Sequence, residues 1–362
     1  MSNVGIVGIG LDKLSVSQGS TALELSGNNF GNMLFTYAAH RQIDKSENVG
    51  FRNLDKAIDN NISKLLVPAA NWINLKQDWG WLAEEIEQSK LPCVAVGLGA
   101  QLESLEEVSQ VPEGTKRLLE VIAERSSALA VRGEFTAEVI NKLGVKNVEV
   151  LGCPSLFSFG KLPKLRPQAS NQRIRIGVGP TRYHLHKGNL KDKQQMLYRF
   201  AIREASSIYY QSEAYEIKLL SREDLSENEH QLAMSYYGFS NFSFFERALM
   251  EKGKYHTNLN SWLVDVAKDD VYVGTRIHGA IAATLAGTPP LLITHDKRTE
   301  ELAESMCVPS INIMDFELNS LFQIEEIIST LDFAKYLRRA ENNFKRFQQF
   351  YKVNDLSFKV DL

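Results

Sequence analysis

Short apolar runs alternate with segments of helical period along this chain, and that alternation, broken once and then resumed, leaves few folds open. Before the break the runs expected as strands are Val4–Ile9, Lys64–Ala70, Pro92–Leu98, Ala128–Val131 and Val148–Leu151. Between them the spacing predicts helices over Asn32–Ile43, Trp79–Gln88, Gly114–Arg125 and Phe135–Leu143. Strands this short, joined by amphipathic helices, pair in parallel as βαβ units. From Gly152 to Gln172 the pattern stops in favour of Pro154, Pro163, Pro167, serines and basic residues, and the later part of this stretch reads as a linker. The alternation resumes with expected strands Arg173–Val178, Tyr215–Leu220, Val271–Gly274, Leu291–Thr294 and Ile311–Ile313. Its helices are Leu190–Tyr210, Ser261–Ala267, Ile277–Ala286 and Lys297–Ser305, followed by a long charged helix, Leu331–Phe350. A chain of 362 residues exceeds the size at which one core keeps growing. The expectation is an α/β protein of two Rossmann-like domains, residues 1–160 and 173–330, joined by a linker at 161–172, facing a central cleft and closed by a C-terminal helix and tail at 331–362.

Several function classes fall away on composition. With 44% hydrophobic and 23% charged residues the chain is not of disordered type. A formal charge of -3 without long runs of one sign gives no basic face for nucleic acid. The apolar stretch Gly279–Ile293 is interrupted by Thr284, Gly287, Pro289 and Pro290, so it is not a membrane span. Met1–Gly10 has no positive leader, and Cys93, Cys153 and Cys307 show neither CxxC spacing nor an even count, so a reducing cytoplasm is expected. His184 and His186 have no third ligand at fixed spacing, and no metal is expected.

The junctions between strand and helix carry the candidate chemistry. Gly27-Asn28-Asn29-Phe30-Gly31-Asn32 opens an apolar helix and offers either a plain capped turn or amides facing a sugar hydroxyl or anion. Neither this segment nor Gly5-x-x-Gly8-x-Gly10 has dinucleotide-binding spacing, which sets aside an NAD-dependent enzyme. Gly97-x-Gly99 and Gly177-Val178-Gly179-Pro180 each end a strand, where glycine allows positive φ or close approach of a ligand. In Gly274-Thr275-Arg276-Ile277-His278-Gly279 an arginine and a histidine sit at the head of a helix made of small residues, an arrangement suited to an anion beside a titratable imidazole. Arg132, Arg182 and the His295-Asp296-Lys297-Arg298 segment add basic residues that can converge, with Lys297 read as a surface group.

Taken together these segments resemble the polysaccharide pyruvyl transferase family. The resemblance rests on Gly27–Ala39, Val96–Gln101, Val131–Thr136 through Gly144 to Gly152-Cys153-Pro154-Ser155-Leu156-Phe157, and Arg276-x-His278-Gly279 through Gly287-x-Pro289 to Asp296-x-Arg298-x-x-Glu301-Leu302. It implies a GT-B-like fold and transfer of a pyruvyl group from phosphoenolpyruvate, the donor substrate, to hydroxyls of a saccharide or lipid-linked saccharide, with peripheral membrane contact open. No other cofactor is implied. Carried over residue by residue, it makes His278 catalytic, as an imidazolium giving a proton or helping phosphate leave, with Arg276 beside it. Arg132 and Arg276 would face the donor; from the chemistry of the residues, Arg182, Gly177, Gly179, Thr275 and Gly279 join the donor side, and Asn28, Asn29 and Asn32 the acceptor side, with aromatic help from Trp72, Trp79 or Trp81, because amides and indoles suit sugars. Many members read Arg-Asp where this chain has Arg132-Gly133, so a carboxylate at that place is in question. The competing readings are a nucleotide-sugar glycosyltransferase and a non-catalytic relative within a polysaccharide assembly complex, whose final helix, with Lys335, Arg338, Arg339, Lys345 and Arg346, would dock a partner.

Overall fold

A computed structural model describes residues 3–167, 174–181, 187–316 and 321–359. The N-terminal half holds β1 (Asn3–Ile6), β2 (Ser46–Asn48), β3 (Ile62–Pro68) and β4 (Cys93–Val96) in one parallel sheet of order β2-β1-β3-β4. Next come β5 (Leu129–Val131) and β6 (Val148–Val150), paired in parallel and attached to the end of β4 through a Leu98–Val131 bridge. The C-terminal half holds β7 (Ile176–Gly179), β8 (Ser207–Tyr209), β9 (Gly253–Lys254), β10 (Val271–Gly274), β11 (Pro290–Thr294) and β12 (Ser310–Asn312). They form one parallel sheet of order β12-β11-β10-β7-β8-β9. This is the Rossmann order, and it reverses direction between β7 and β10, the place where such sheets bind ligands beyond their carboxyl ends. The architecture is α/β and GT-B-like, as expected.

Central strands read as unbroken apolar runs because helices cover both faces. β4, β10 and β11 are buried throughout. The helix Ile277–Leu285 is buried from Ile277 to Thr284, and its Gly279, Ala280, Ala282 and Ala283 let it lie close against β10 and β11.

Two elements depart from the sequence reading. Leu190–Tyr210 is not one helix: the helix Gly188–Glu204 ends, and Ser207–Tyr209 enters the sheet as β8. Tyr215–Leu220, expected as a strand, is the helix Ala214–Leu220. Six residues of mixed alternation fit either period, and β8, already paired with β7 and β9, leaves no strand position for them. The final helix Phe333–Val353 and the tail after it return to the N-terminal half. Tyr351 Oη donates to Gln42 Oε1 at 2.8 Å, Asn354 Oδ1 accepts from Ser127 N at 2.9 Å, and Phe358 pairs with Ile43. The basic residues of this helix at 335, 338, 339, 345 and 346 are exposed. Among the described residues no helix is long and apolar enough to cross a membrane.

Candidate active site

The carboxyl ends of β7, β8 and β10 face the carboxyl end of β3 across a cavity of about 50 Å³. Asn29, Asn32, Asn71 and Arg132 line it from the N-terminal half, and Thr181, Gln211, Thr275, Arg276, His278 and Arg298 from the other.

Arg276 stands just past β10, at the N-cap of the helix that carries His278. Its Nη2 donates to Glu213 Oε1 at 2.7 Å, and the Glu213 side chain is fully buried. Glu213 Oε2 also accepts from Gln211 N at 2.8 Å and Ser212 N at 3.0 Å, so the carboxylate is anchored before it meets the arginine. Arg132 follows β5, 2% exposed, with Nη1 donating to Asn71 Oδ1 at 2.9 Å. Arg298 rests on Asp296 at 3.1 Å, whose side chain caps the helix Lys297–Met306. Nε of Arg132, Nε of Arg276 and both amide atoms of Gln211 are buried with no hydrogen-bond partner among the described residues. Buried polar groups are nearly always paired, so four orphans lining one cavity mark a place prepared for a polar ligand.

His278 is 6% exposed. Burial first, then the charges of Arg132, Arg298 and Arg276, hold its imidazole well below the ordinary histidine range. That direction favours the neutral imidazole near pH 7, where the sequence reading has an imidazolium. Nε2 lies 3.7 Å from Cys153 Sγ, the thiol of the Gly152-Cys153-Pro154 segment.

The glycine-rich turn of the N-terminal half is docked onto this imidazole. Phe30 N donates to Gln211 O at 2.8 Å, and a Cβ on Gly31 would lie 2.8 Å from His278 Nδ1 and 2.9 Å from Gln211 Oε1. Asn29 and Asn32 reach the cavity, while Asn28, with φ 59°, shapes the turn and is not among the lining residues. Part of each amide is already used: Asn29 Oδ1 accepts from Gly31 N, and Asn32 Nδ2 donates to Ser26 O, both at 3.0 Å.

The structure brings Thr275 to the cavity but gives Gly177, Gly179 and Gly279 another reason to be glycine. None of the three has positive φ. A Cβ on Gly177 would lie 2.5 Å from Asp269 Oδ2, and on Gly179 or Gly279 it would overlap the Tyr272 hydroxyl. Close packing around tyrosines, not ligand approach, excludes a side chain there. Gly99 makes room for Arg132, whose Cδ would be 3.0 Å from its Cβ, and Gly97 takes φ +74°. Arg182, His184 and His186 lie outside the described residues. Trp72 and Trp79 stack at 4.5 Å with Trp81 beside them, outside the cavity lining. Lys297 is exposed, as read. Among the described residues no group of three or more His, Cys, Asp or Glu could hold a metal.

Sequence reasoning passed over Gln211, Glu213, Asn71 and Cys153. The first two stand at the carboxyl end of β8, a strand hidden inside an expected helix.

Basic residues and a buried histidine at the topological switch point of an α/β fold make a site suited to an anionic ligand held between two halves. The sequence pattern of the polysaccharide pyruvyl transferase family matches residues 29–297, and the chain belongs to that family of transferases. No protein of curated function matches the sequence. Solved structures of similar fold include Staphylococcus aureus MnaA with UDP, at 12% identity and TM-score 0.46, covering 98% of this chain and 97% of that one. UDP-GlcNAc 2-epimerase from Neisseria meningitidis bound to UDP-GlcNAc is similar at 11% identity and TM-score 0.45, covering 98% and 100%. The glycosyltransferase SnogD from Streptomyces nogalater is similar at 12% identity and TM-score 0.35, covering 95% and 81%.

Proposed function

We propose that this chain takes the pyruvyl group of phosphoenolpyruvate and joins it, as a ketal, to two hydroxyls of a saccharide in a polysaccharide or its precursor. Family membership supports pyruvylation in general terms. The observation that carries the donor is the convergence of Arg132, Arg276 and Arg298 on a buried neutral His278. Phosphoenolpyruvate bears a phosphate and a carboxylate a few bonds apart, and guanidinium forks suit both.

The balance of the reaction assigns work to these groups. Two C2–O bonds form to the sugar, the C2–O bond to phosphate breaks, and the methylene carbon becomes methyl. One hydroxyl proton ends on that carbon and the other leaves with phosphate. A neutral His278 serves as the base that accepts a hydroxyl proton, a contribution of typically ~10²–10⁴-fold. The arginines stabilise the departing phosphate. Binding of the donor's negative charge offsets the three guanidiniums and raises the His278 pKa, so that it holds the proton it has taken.

Calorimetric titration with phosphoenolpyruvate and, separately, with UDP tests the proposal. Saturable binding of phosphoenolpyruvate, weakened in Arg276→Ala, is expected. Binding of UDP without phosphoenolpyruvate would overturn it in favour of a nucleotide-sugar enzyme.

A further inference from the structure

The helix Glu134–Lys142 begins two residues after Arg132, and its N-cap is Gly133, which has no side chain to accept a hydrogen bond from the first turn. That bond is made from the other half of the molecule. Thr136 N, the third residue of the helix, donates to Glu301 Oε1 at 2.6 Å, the bond an N-cap aspartate makes within its own helix. Thr136 Oγ1 donates to Glu301 Oε2 at 2.9 Å and accepts from Ala100 N at 3.0 Å. Glu301 stands on the helix Lys297–Met306 of the C-terminal half, 7% exposed. A Cβ at position 133 would overlap Glu301 Cγ and lie 2.7 Å from Oε1. Backbone strain does not account for the glycine, since φ is -166°. The carboxylate at this helix start comes from across the cleft, and it occupies the space a side chain at position 133 would need.

We infer that Glu301 is a positioning residue that caps in trans the helix following Arg132, so that the first turn of that helix is closed only when the two halves are together. Arg132 itself bonds within its own half, to Asn71 Oδ1, Ala69 O and Leu98 O, and the helix after it is what Thr136 ties down. Gly99 lies under the Arg132 side chain and Ala100 bonds to Thr136, while the helix after Gly133 depends on Glu301 for its first turn. Across the same seam Glu103 and Glu134 face Glu300 and Glu304, with Lys297 as the lining cation. Those charges are mostly exposed and screened, which leaves the Glu301 cap as a buried, specific contact across this seam.

A mutant cycle of Gly133→Asp, Glu301→Ala and both together tests this, read by urea denaturation, by small-angle scattering and by the donor KM against kcat. Gly133→Asp alone is expected to destabilise, because the new side chain meets Glu301. In the double variant the aspartate caps its own helix, so stability recovers above either single variant. The tie between halves stays lost, however: the radius of gyration rises, and KM for phosphoenolpyruvate increases roughly tenfold or more, the scale of one hydrogen bond to a charged group. Simple additivity of the two substitutions overturns the trans cap. Recovery with an unchanged radius of gyration overturns the coupling to closure. Glu301→Gln, which keeps an acceptor for Thr136 N, serves if Glu301→Ala does not fold, and is expected to unfold near the wild-type midpoint. The KM arm rests on the pyruvyl-transfer reading; the denaturation and scattering arms do not, so failure of either idea is separable.

Discussion

Gly31 is one of the points, with Cys153 and Phe35, at which the N-terminal half meets the imidazole, and Gly31→Ala asks whether that closeness matters to the chemistry. Backbone strain does not enter, because φ -58° and ψ -24° suit alanine. The added carbon would stand 2.8 Å from His278 Nδ1, 2.9 Å from Gln211 Oε1 and 3.0 Å from His278 Cβ. Ordinary contact starts at 3.4 Å, so the ring or the turn must yield by 3.4 − 2.8 = 0.6 Å. Overpacking of this kind costs about 1–3 kcal/mol in stability. A misplacement of ~1 Å at a reacting group can cost ~10²-fold in rate, so a displacement of this size predicts a fall in kcat of roughly ten- to a hundredfold. The assay is phosphate release from phosphoenolpyruvate with a saccharide acceptor, paired with the imidazole resonances of His278 by NMR. Gly10→Ala is the control, since its Cβ meets nothing nearer than Lys13 at 4.0 Å. Wild-type turnover in Gly31→Ala, with unshifted His278 resonances, would refute the claim that this turn sets the histidine.

Three further outcomes are expected. Asp269 is fully buried with Oδ1 unpaired, and burial raises its carboxyl from 3.8 to about 6. Its stabilising contribution is present below pH 3.8 and lost as pH rises through about 6, so the charged form costs about 3 kcal/mol at pH 7, from (6 − 3.8) × ~1.36; urea denaturation of Asp269→Asn should show a flatter pH profile between those limits. Tyr272 Oη is buried without a partner among the described residues, so Tyr272→Phe should raise stability by about 1 kcal/mol in the same assay. Binding of phosphoenolpyruvate should take up protons through His278, detected as a dependence of calorimetric heat on buffer ionisation enthalpy that disappears in His278→Ala.

The alternation of strand and helix was legible because central parallel strands carry an unbroken apolar signal, as in β4, β10 and β11. Arg276 and His278 were legible for a related reason: a strand, two polar residues and a helix of small residues leave little else for that junction to be. The reading failed at β8, where the three residues Ser207, Ile208 and Tyr209 come after a helix without a proline or glycine to mark the boundary. That miss had a consequence for the site. With Leu190–Tyr210 read as one helix, Gln211 and Glu213 stood after a helix, where polar residues are unremarked; at the carboxyl end of a strand beside the switch point they would have been candidates. The glycines failed in another way. Gly177, Gly179 and Gly279 stand where a ligand-approach glycine would stand, and only the packed structure shows that Tyr209 or Tyr272 fills the space a side chain would need.

The charge arrangement depends on which half supplies each group. Arg276 is neutralised within its own half by Glu213, whereas Arg132 is held by Asn71, which is neutral, and so carries its charge into the cleft. Arg298 shares Asp296 with a helix cap that already uses the other carboxylate oxygen. The positive field at His278 therefore depends strongly on Arg132, the first of the charges that lower its pKa after burial. Separation of the halves would remove Arg132, expose the imidazole and let its pKa return toward the ordinary value. Burial first and then Arg132 thus set the proton state of His278, and the residue that caps the helix after Arg132 belongs to the opposite half.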